Sequence, residues 1–232
     1  MPRPLTGLLA VVVVLALGGT GCAGPNSVST PTARAEQSPL DPVPDEDQGD
    51  QLVVLFGDSL TELAVDDLRA RFAADPDRRL SAHWYGGTEV DTQAWLDLYP
   101  HVGQGAEVLL ALGINDLFSG SVADATADVT RVVDELTEVG AARVVMTTVN
   151  RNDVGTAPAL DGDWADEVAA YNEWLVAAGA DDDRFPTLEV TRWDETTVGH
   201  TDWLQPDGVH LTPMGGAAYA EQLFGAVVRP AP

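Results

Sequence analysis

An aspartate and a serine stand at positions 58 and 59, and a second aspartate and a histidine stand three residues apart at 207 and 210. A serine hydroxyl becomes a competent nucleophile only when a base takes its proton, and an imidazole held by a carboxylate is such a base. Gly57-Asp58-Ser59-Leu60 and Asp207-Gly208-Val209-His210 therefore supply a nucleophile, a base and an orienter, a set suited to hydrolysis or transfer of an acyl group. Taken singly, Ser59 would also suit a helix N-cap, and His210 a hydrogen-bonded loop position.

Two more blocks lie between these, in the order Gly86-Gly87-Thr88 and then Gly113-Ile114-Asn115-Asp116. The four blocks together resemble the GDSL family of esterases and lipases, also called SGNH hydrolases, from about Leu52 to Phe224. The resemblance implies that Ser59 is the nucleophile, His210 its general base and Asp207 the carboxylate that orients the imidazole. It implies an oxyanion hole built from the Ser59 backbone N–H, a glycine N–H of the second block and the Asn115 side-chain amide. Gly86 is the expected second-block donor, with Gly87 as the alternative. Asp58, Gly113 and Asp116 are expected to support the site, the two aspartates through hydrogen bonds around the nucleophile turn and the asparagine loop.

The elements that must position these residues are legible as apolar runs. Leu52 to Phe56 reads as a buried strand, and a serine on a glycine turn between strand and helix is presented outward. Further strands are expected at 80–84, 107–112, 143–149 and 187–191. Helices are expected at 60–74, 92–99 (ended by Pro100), 122–139, 163–178 and 213–227. Asp163 and Thr212 are N-cap candidates, and Gly140 a C-terminal cap. Strand and helix alternate, which predicts an α/β fold: a three-layer α/β/α sandwich around a mostly parallel five-stranded sheet, flavodoxin-like as the family is. Ser59, Gly113 to Asp116 and Asn150 each follow a strand, at the carboxyl edge where such sheets bind ligands.

The ends read differently. Residues 1–22 have the form of a secretory signal: Arg3, then an apolar stretch from Leu5 to Leu17, then small residues up to Cys22. The lone Cys22 resembles a lipoprotein acceptor, although Gly19 stands where an aliphatic residue is usual. Residues 23–50, rich in Pro, Ser, Thr and acids, read as a disordered tether. Residues 51–232 fit one catalytic domain. The protein is thus expected outside the cell, anchored to the outer face of the membrane through a lipid on Cys22.

The formal charge is −25, and all 12 basic residues are arginine. Such a charge disfavours nucleic acid as a partner. No nucleotide-binding motif is present, His83 and His101 have no partners at metal-ligand spacing, and the expected chemistry needs no cofactor and no metal. Asn150 would either line the site or cap its loop. Trp193, Trp203 and His200 precede Asp207 and would either wall the substrate or pack that loop. The expected substrates are short acyl or O-acetyl esters, on glycans or lipids outside the cell, met by a monomer. The same acyl-enzyme could pass its acyl group to a sugar, and a non-catalytic glycan-binding lipoprotein is the reading outside enzymology.

Overall fold

The computed structural model describes residues 51–150 and 162–228. The expected signal, the tether and Cys22 lie outside the described residues. Five strands run through the centre: β1 (Gln51–Gly57), β2 (Arg78–Trp84), β3 (Glu107–Ala111), β4 (Arg143–Thr147) and β5 (Leu188–Thr191). Their order is β2-β1-β3-β4-β5, and every pairing is parallel. The order reverses at β1, whose last residue, Gly57, pairs with Trp84 on one side and Ala111 on the other. A crevice at the carboxyl edge is expected where the order reverses, and the Asp58-Ser59 dipeptide leaves the sheet there.

Both faces of the sheet are covered, and the pleat explains how. Along β1, Val53 and Leu55 enter one apolar cluster, while Val54 and Phe56 enter the other. Successive strand side chains point to opposite faces, so a run that is apolar at every position serves two cores at once. The first cluster is closed by α1 (Ser59–Ala73) and by the final helix, which contributes Tyr219, Ala220, Leu223 and Val227. The second is closed chiefly by α4 (Val122–Glu138) and α5 (Gly162–Ala178).

The shorter elements are α2 (Gln93–Leu96), α3 (Ile114–Ser119) and α6 (Trp193–Thr196), with 3₁₀ turns at Tyr99–His101 and Thr201–Trp203. Pro100 does not end a single helix over 92–99: α2 stops at Leu96, and Pro100 sits inside the first 3₁₀ turn. Two short helices, α3 and α6, have no counterpart in the sequence reading.

Caps set the longer helices. The Ser121 hydroxyl and the Asp124 carboxylate form a reciprocal capping box at the start of α4. At its end Gly140 takes φ +91°, its amide donates to Thr137 O, and the Ala141 amide donates to Leu136 O, as expected of a left-handed glycine cap. α5 begins at Gly162, one residue before the expected cap Asp163. The last helix, α7 (Pro213–Val228), has proline at its first position, and Thr212 Oγ1 accepts from the Gly215 amide at 3.2 Å. Among the described residues, no helix is long and apolar enough to cross a membrane.

Candidate active site

The turn after β1 is made by Asp58, not by Ser59. Asp58 has an extended backbone, and its Oδ1 accepts from the Leu60 amide at 2.8 Å, so it is the N-cap of α1. That leaves the Ser59 hydroxyl free of capping duty, at the first helical position. Ser59 Oγ lies 3.1 Å from His210 Nε2, and His210 Nδ1 lies 2.8 Å from Asp207 Oδ2.

The far half of this chain of contacts is a tight loop. Asp207 Oδ1 accepts from the Val209 and His210 amides, each at 3.0 Å, and Gly208 takes φ +70° between them. The Gln205 amide donates to His210 O at 2.7 Å, and its side chain donates to Leu211 O at 2.8 Å. The imidazole is thus fixed by the backbone on either side of it. Partial burial raises the Asp207 carboxyl, but hydrogen bonds from the Val209 amide, the His210 ring and the His210 amide outweigh it and hold the group below the usual carboxylate range.

Asn115 comes from the exit of β3. Gly113 takes φ +124°, and a Cβ there would stand 2.7 Å from Tyr171 Oη, so only glycine fits. The chain then enters α3, which places Asn115 on a first helical turn. Asn115 Nδ2 donates to Thr88 O at 3.0 Å and to Asp58 Oδ2 at 3.3 Å. The second block is held beside β1: the Tyr85 amide donates to Gly57 O at 3.0 Å, and Thr88 Oγ1 donates to Tyr85 O at 2.8 Å. Gly86 and Gly87 form the turn between them, with Gly87 at φ +79°. Asp116 accepts from the Val90 amide at 3.1 Å. The structure therefore brings Asp58, Ser59, the second block, Asn115, Asp116, Asp207 and His210 to one edge of the sheet.

Two carboxyls here are unusual. Burial pushes Asp58 up to about 7, and the nearby Asp116 charge adds to this, against the hydrogen bond from Leu60. Burial likewise pushes Asp116 up to about 7.

The remaining residues singled out in the sequence have packing partners of their own. Trp193 is a core residue, 1% exposed, packed on Tyr219 at 4.8 Å between ring centres. Trp203 stacks parallel on Trp193 at 6.0 Å, and His200 stacks on Trp203 at 3.7 Å. The three rings stack on one another in the loop that leads to Asp207, with Trp193 buried and His200 exposed. His83 is buried in β2, with Nε2 3.0 Å from Ser81 Oγ. Asn150 is buried after β4. Among the described residues, no three His, Cys, Asp or Glu side chains are grouped to hold a metal.

Sequence reasoning named Thr88 within the second block but missed that its backbone carbonyl, which carries no residue-type signature, accepts from Asn115. It also missed Asn172, which bonds both the amide and the carbonyl of Val149, at 2.9 and 2.7 Å. The available signal was a polar residue at core spacing between Val168 and Leu175 on α5.

Comparison with known proteins adds independent findings. A family model described as GDSL-like lipase/acylhydrolase matches residues 55–218. Among solved structures, the chain is similar to a member of the lipolytic G-D-S-L family from Veillonella parvula. That match has a TM-score of 0.62 and 17% identity, and covers 78% of this chain and 100% of the other. It is similar to a psychrotrophic esterase from a Pseudoalteromonas species, inhibited there by monoethylphosphonate, with TM-score 0.56, 15% identity and coverage of 77% and 97%. It is also similar to an extracellular lipase from Streptomyces rimosus, with TM-score 0.56, 19% identity and coverage of 76% and 99%. No curated protein sequence matches it. At these identities the structural likeness is one of fold.

Proposed function

The chain belongs to the GDSL-like lipase/acylhydrolase family and is a carboxylic ester hydrolase, and from that premise we propose that it works through an acyl-enzyme on Ser59. The observation that carries this reading is the unbroken contact chain from Asp207 Oδ2 to His210 (2.8 Å) and on to Ser59 Oγ (3.1 Å). His210 Nε2 takes the Ser59 proton as Oγ bonds to the ester carbon, and the carbonyl electron pair moves onto oxygen. Asp207 holds the imidazole with Nδ1–H toward itself, leaving Nε2 free to accept, and stabilises the imidazolium that forms.

The oxyanion is held by the Ser59 N–H at the start of α1, the Gly86 N–H and the Asn115 amide. Such donors are worth about 3–4 kcal/mol each, because they act where charge develops. When the intermediate collapses, the C–O bond to the leaving alcohol breaks, and the alcohol takes the proton from His210. Water then repeats the sequence on the acyl-enzyme, releasing the acid and restoring the Ser59 hydroxyl.

The substrates we propose are short acyl or O-acetyl esters on glycans or lipids outside the cell. The charged start, apolar stretch and small residues of positions 1–22 support export, and Cys22 supports a lipid anchor. The test is labelling of the folded protein by a fluorophosphonate probe. Label on Ser59, lost in Ser59→Ala, is the expected result; a folded wild-type protein that takes no label overturns the reading.

A further inference from the structure

Asn115 carries two N–H bonds, and both are engaged before any substrate arrives: one on Thr88 O at 3.0 Å, one on Asp58 Oδ2 at 3.3 Å. An amide with both donors used internally has a fixed plane. It is ready to stabilise an oxyanion only if one internal bond is weak enough to share. The longer bond, to Asp58, is the weaker of the two.

Asp58 is itself doubly committed. Its Oδ1 caps α1 through the Leu60 amide at 2.8 Å, and its Oδ2 faces Asn115. It is 1% exposed. A helix cap needs no buried charge, since serine or asparagine caps as well as aspartate. Burial makes ionisation of this carboxyl costly, pushing it up to about 7, and perturbed carboxyls concentrate at functional sites.

We propose that Asp58 is a positioning residue for the oxyanion hole: it ties the Asn115 amide to the first turn of the nucleophile helix and holds the N–H that is handed to the developing oxyanion. This rests on the reading of Ser59 as nucleophile and Asn115 as donor. Through Asp58, the serine and the asparagine share one rigid reference, although they lie on different elements far apart in sequence. As negative charge grows on the substrate oxygen, the Nδ2–H that faces Asp58 is shared with that oxygen, while the bond to Thr88 O keeps the amide in plane. Beyond its capping of α1, which the variants below retain, Asp58 is assigned to act through Asn115.

The experiment is a double-mutant cycle on hydrolysis of p-nitrophenyl acetate at pH 8, with Asp58→Asn, Asp58→Ser, Asn115→Ala and the two combinations with Asn115→Ala. Both replacements of Asp58 keep a cap acceptor for Leu60, so α1 forms, and a thermal melt verifies folding. The asparagine replacement would turn an amide donor toward Asn115, and the serine replacement would not reach it. Each is expected to lower kcat about 10–100-fold, the worth of one charge-assisted hydrogen bond, with KM changed less than about two-fold. The decisive expectation is non-additivity: in the Asn115→Ala background, either replacement costs less than about two-fold. A trifluoromethyl ketone that forms a tetrahedral adduct on Ser59 is expected to lose affinity by the same factor as kcat. Equal losses in the presence and absence of Asn115 overturn the proposal, because Asp58 would then act on the nucleophile turn. Unchanged kcat in both Asp58 variants overturns it too. If Ser59→Ala and Asn115→Ala both keep full activity, the failure belongs to the parent reading and takes this one with it.

Discussion

His210 Nε2 stands 3.1 Å from Ser59 Oγ across 151 positions of sequence. The sheet and two helices make that closure. Ser59 opens α1 and His210 precedes α7, and these helices pack side by side on one face of the sheet through Ala64, Leu68, Ala220 and Leu223. A Cβ on Gly216 of α7 would stand 2.5 Å from the Leu63 carbonyl of α1, so the helices approach backbone to backbone near their starts. The contact between nucleophile and base is thus a consequence of helix packing one turn away.

Ser59→Ala removes the nucleophile and nothing that holds the fold. The α1 cap is Asp58, so the helix keeps its start. Turnover of p-nitrophenyl acetate is expected to fall by at least about 10³-fold, with the thermal midpoint nearly unchanged. A variant that still hydrolyses the ester at the wild-type rate refutes the assignment.

Asp207→Asn separates the two tasks of that carboxylate. Asn Oδ1 can still accept from the Val209 and His210 amides, so the loop persists. The amide nitrogen would then face His210 Nδ1 as a donor, which favours the tautomer carrying its proton on Nε2. An imidazole with Nε2–H cannot accept from Ser59, and kcat is expected to drop about 10³–10⁴-fold at unchanged fold. Steady-state kinetics beside circular dichroism check this; a loss under about ten-fold counts against the orienting role.

What the residues announced and what they hid divide along a physical line. The buried strands were legible as short runs apolar at nearly every position, and α4 as a long apolar pattern of period near 3.6. α3 and α6 were not, because helices of four to six residues are too short to show a period. The chemistry of Ser59, His210 and Asp207 was visible in residue types. The contact of Asn115 with Thr88 was not, since its acceptor is a backbone carbonyl that any residue supplies. Asp58 was expected to bond around the nucleophile turn and does. That it also grips Asn115 requires the spatial neighbourhood of β1 and β3, which no local window contains.

Gly57→Ala tests how closely the nucleophile turn is packed. A Cβ at position 57 would lie 2.0 Å from Thr61 Oγ1 and 2.4 Å from Thr61 Cβ. Thr61 lies in the first turn of α1, so the strain falls on Ser59 between positions 57 and 61. Gly57→Ala is expected to lose most activity and to destabilise the fold by about 1–3 kcal/mol. Adding Thr61→Ala is not expected to rescue it, because the clash with Cβ remains. Adding Thr61→Gly should recover part of the activity. Rescue by Thr61→Ala in a p-nitrophenyl acetate assay would show that the turn relaxes where the packing says it cannot.

The buried carboxyls make stability depend on pH in a way one substitution isolates. Asp58 and Asp116 ordinarily titrate at 3.8, and burial in the folded protein pushes each up to about 7. Between those values the folded protein holds protons that the unfolded chain has released. Stability therefore falls as pH rises through this window, and above it the folded state carries the full cost of the buried charge. Asp194 and Asp207 run the other way, their carboxyls held below the usual range despite burial, so their contribution is lost on acidification. Those two are common to wild type and Asp58→Asn and cancel in a comparison. The thermal midpoint of Asp58→Asn minus that of wild type is expected to be larger at pH 8 than at pH 5. Each kcal/mol of relieved ionisation cost is worth about 2–4 °C. The donor conflict with Asn115 offsets both values by a similar amount and leaves their difference intact. Thermal melts at the two pH values decide the matter, and a midpoint difference that does not change with pH means Asp58 carries no buried charge at pH 8.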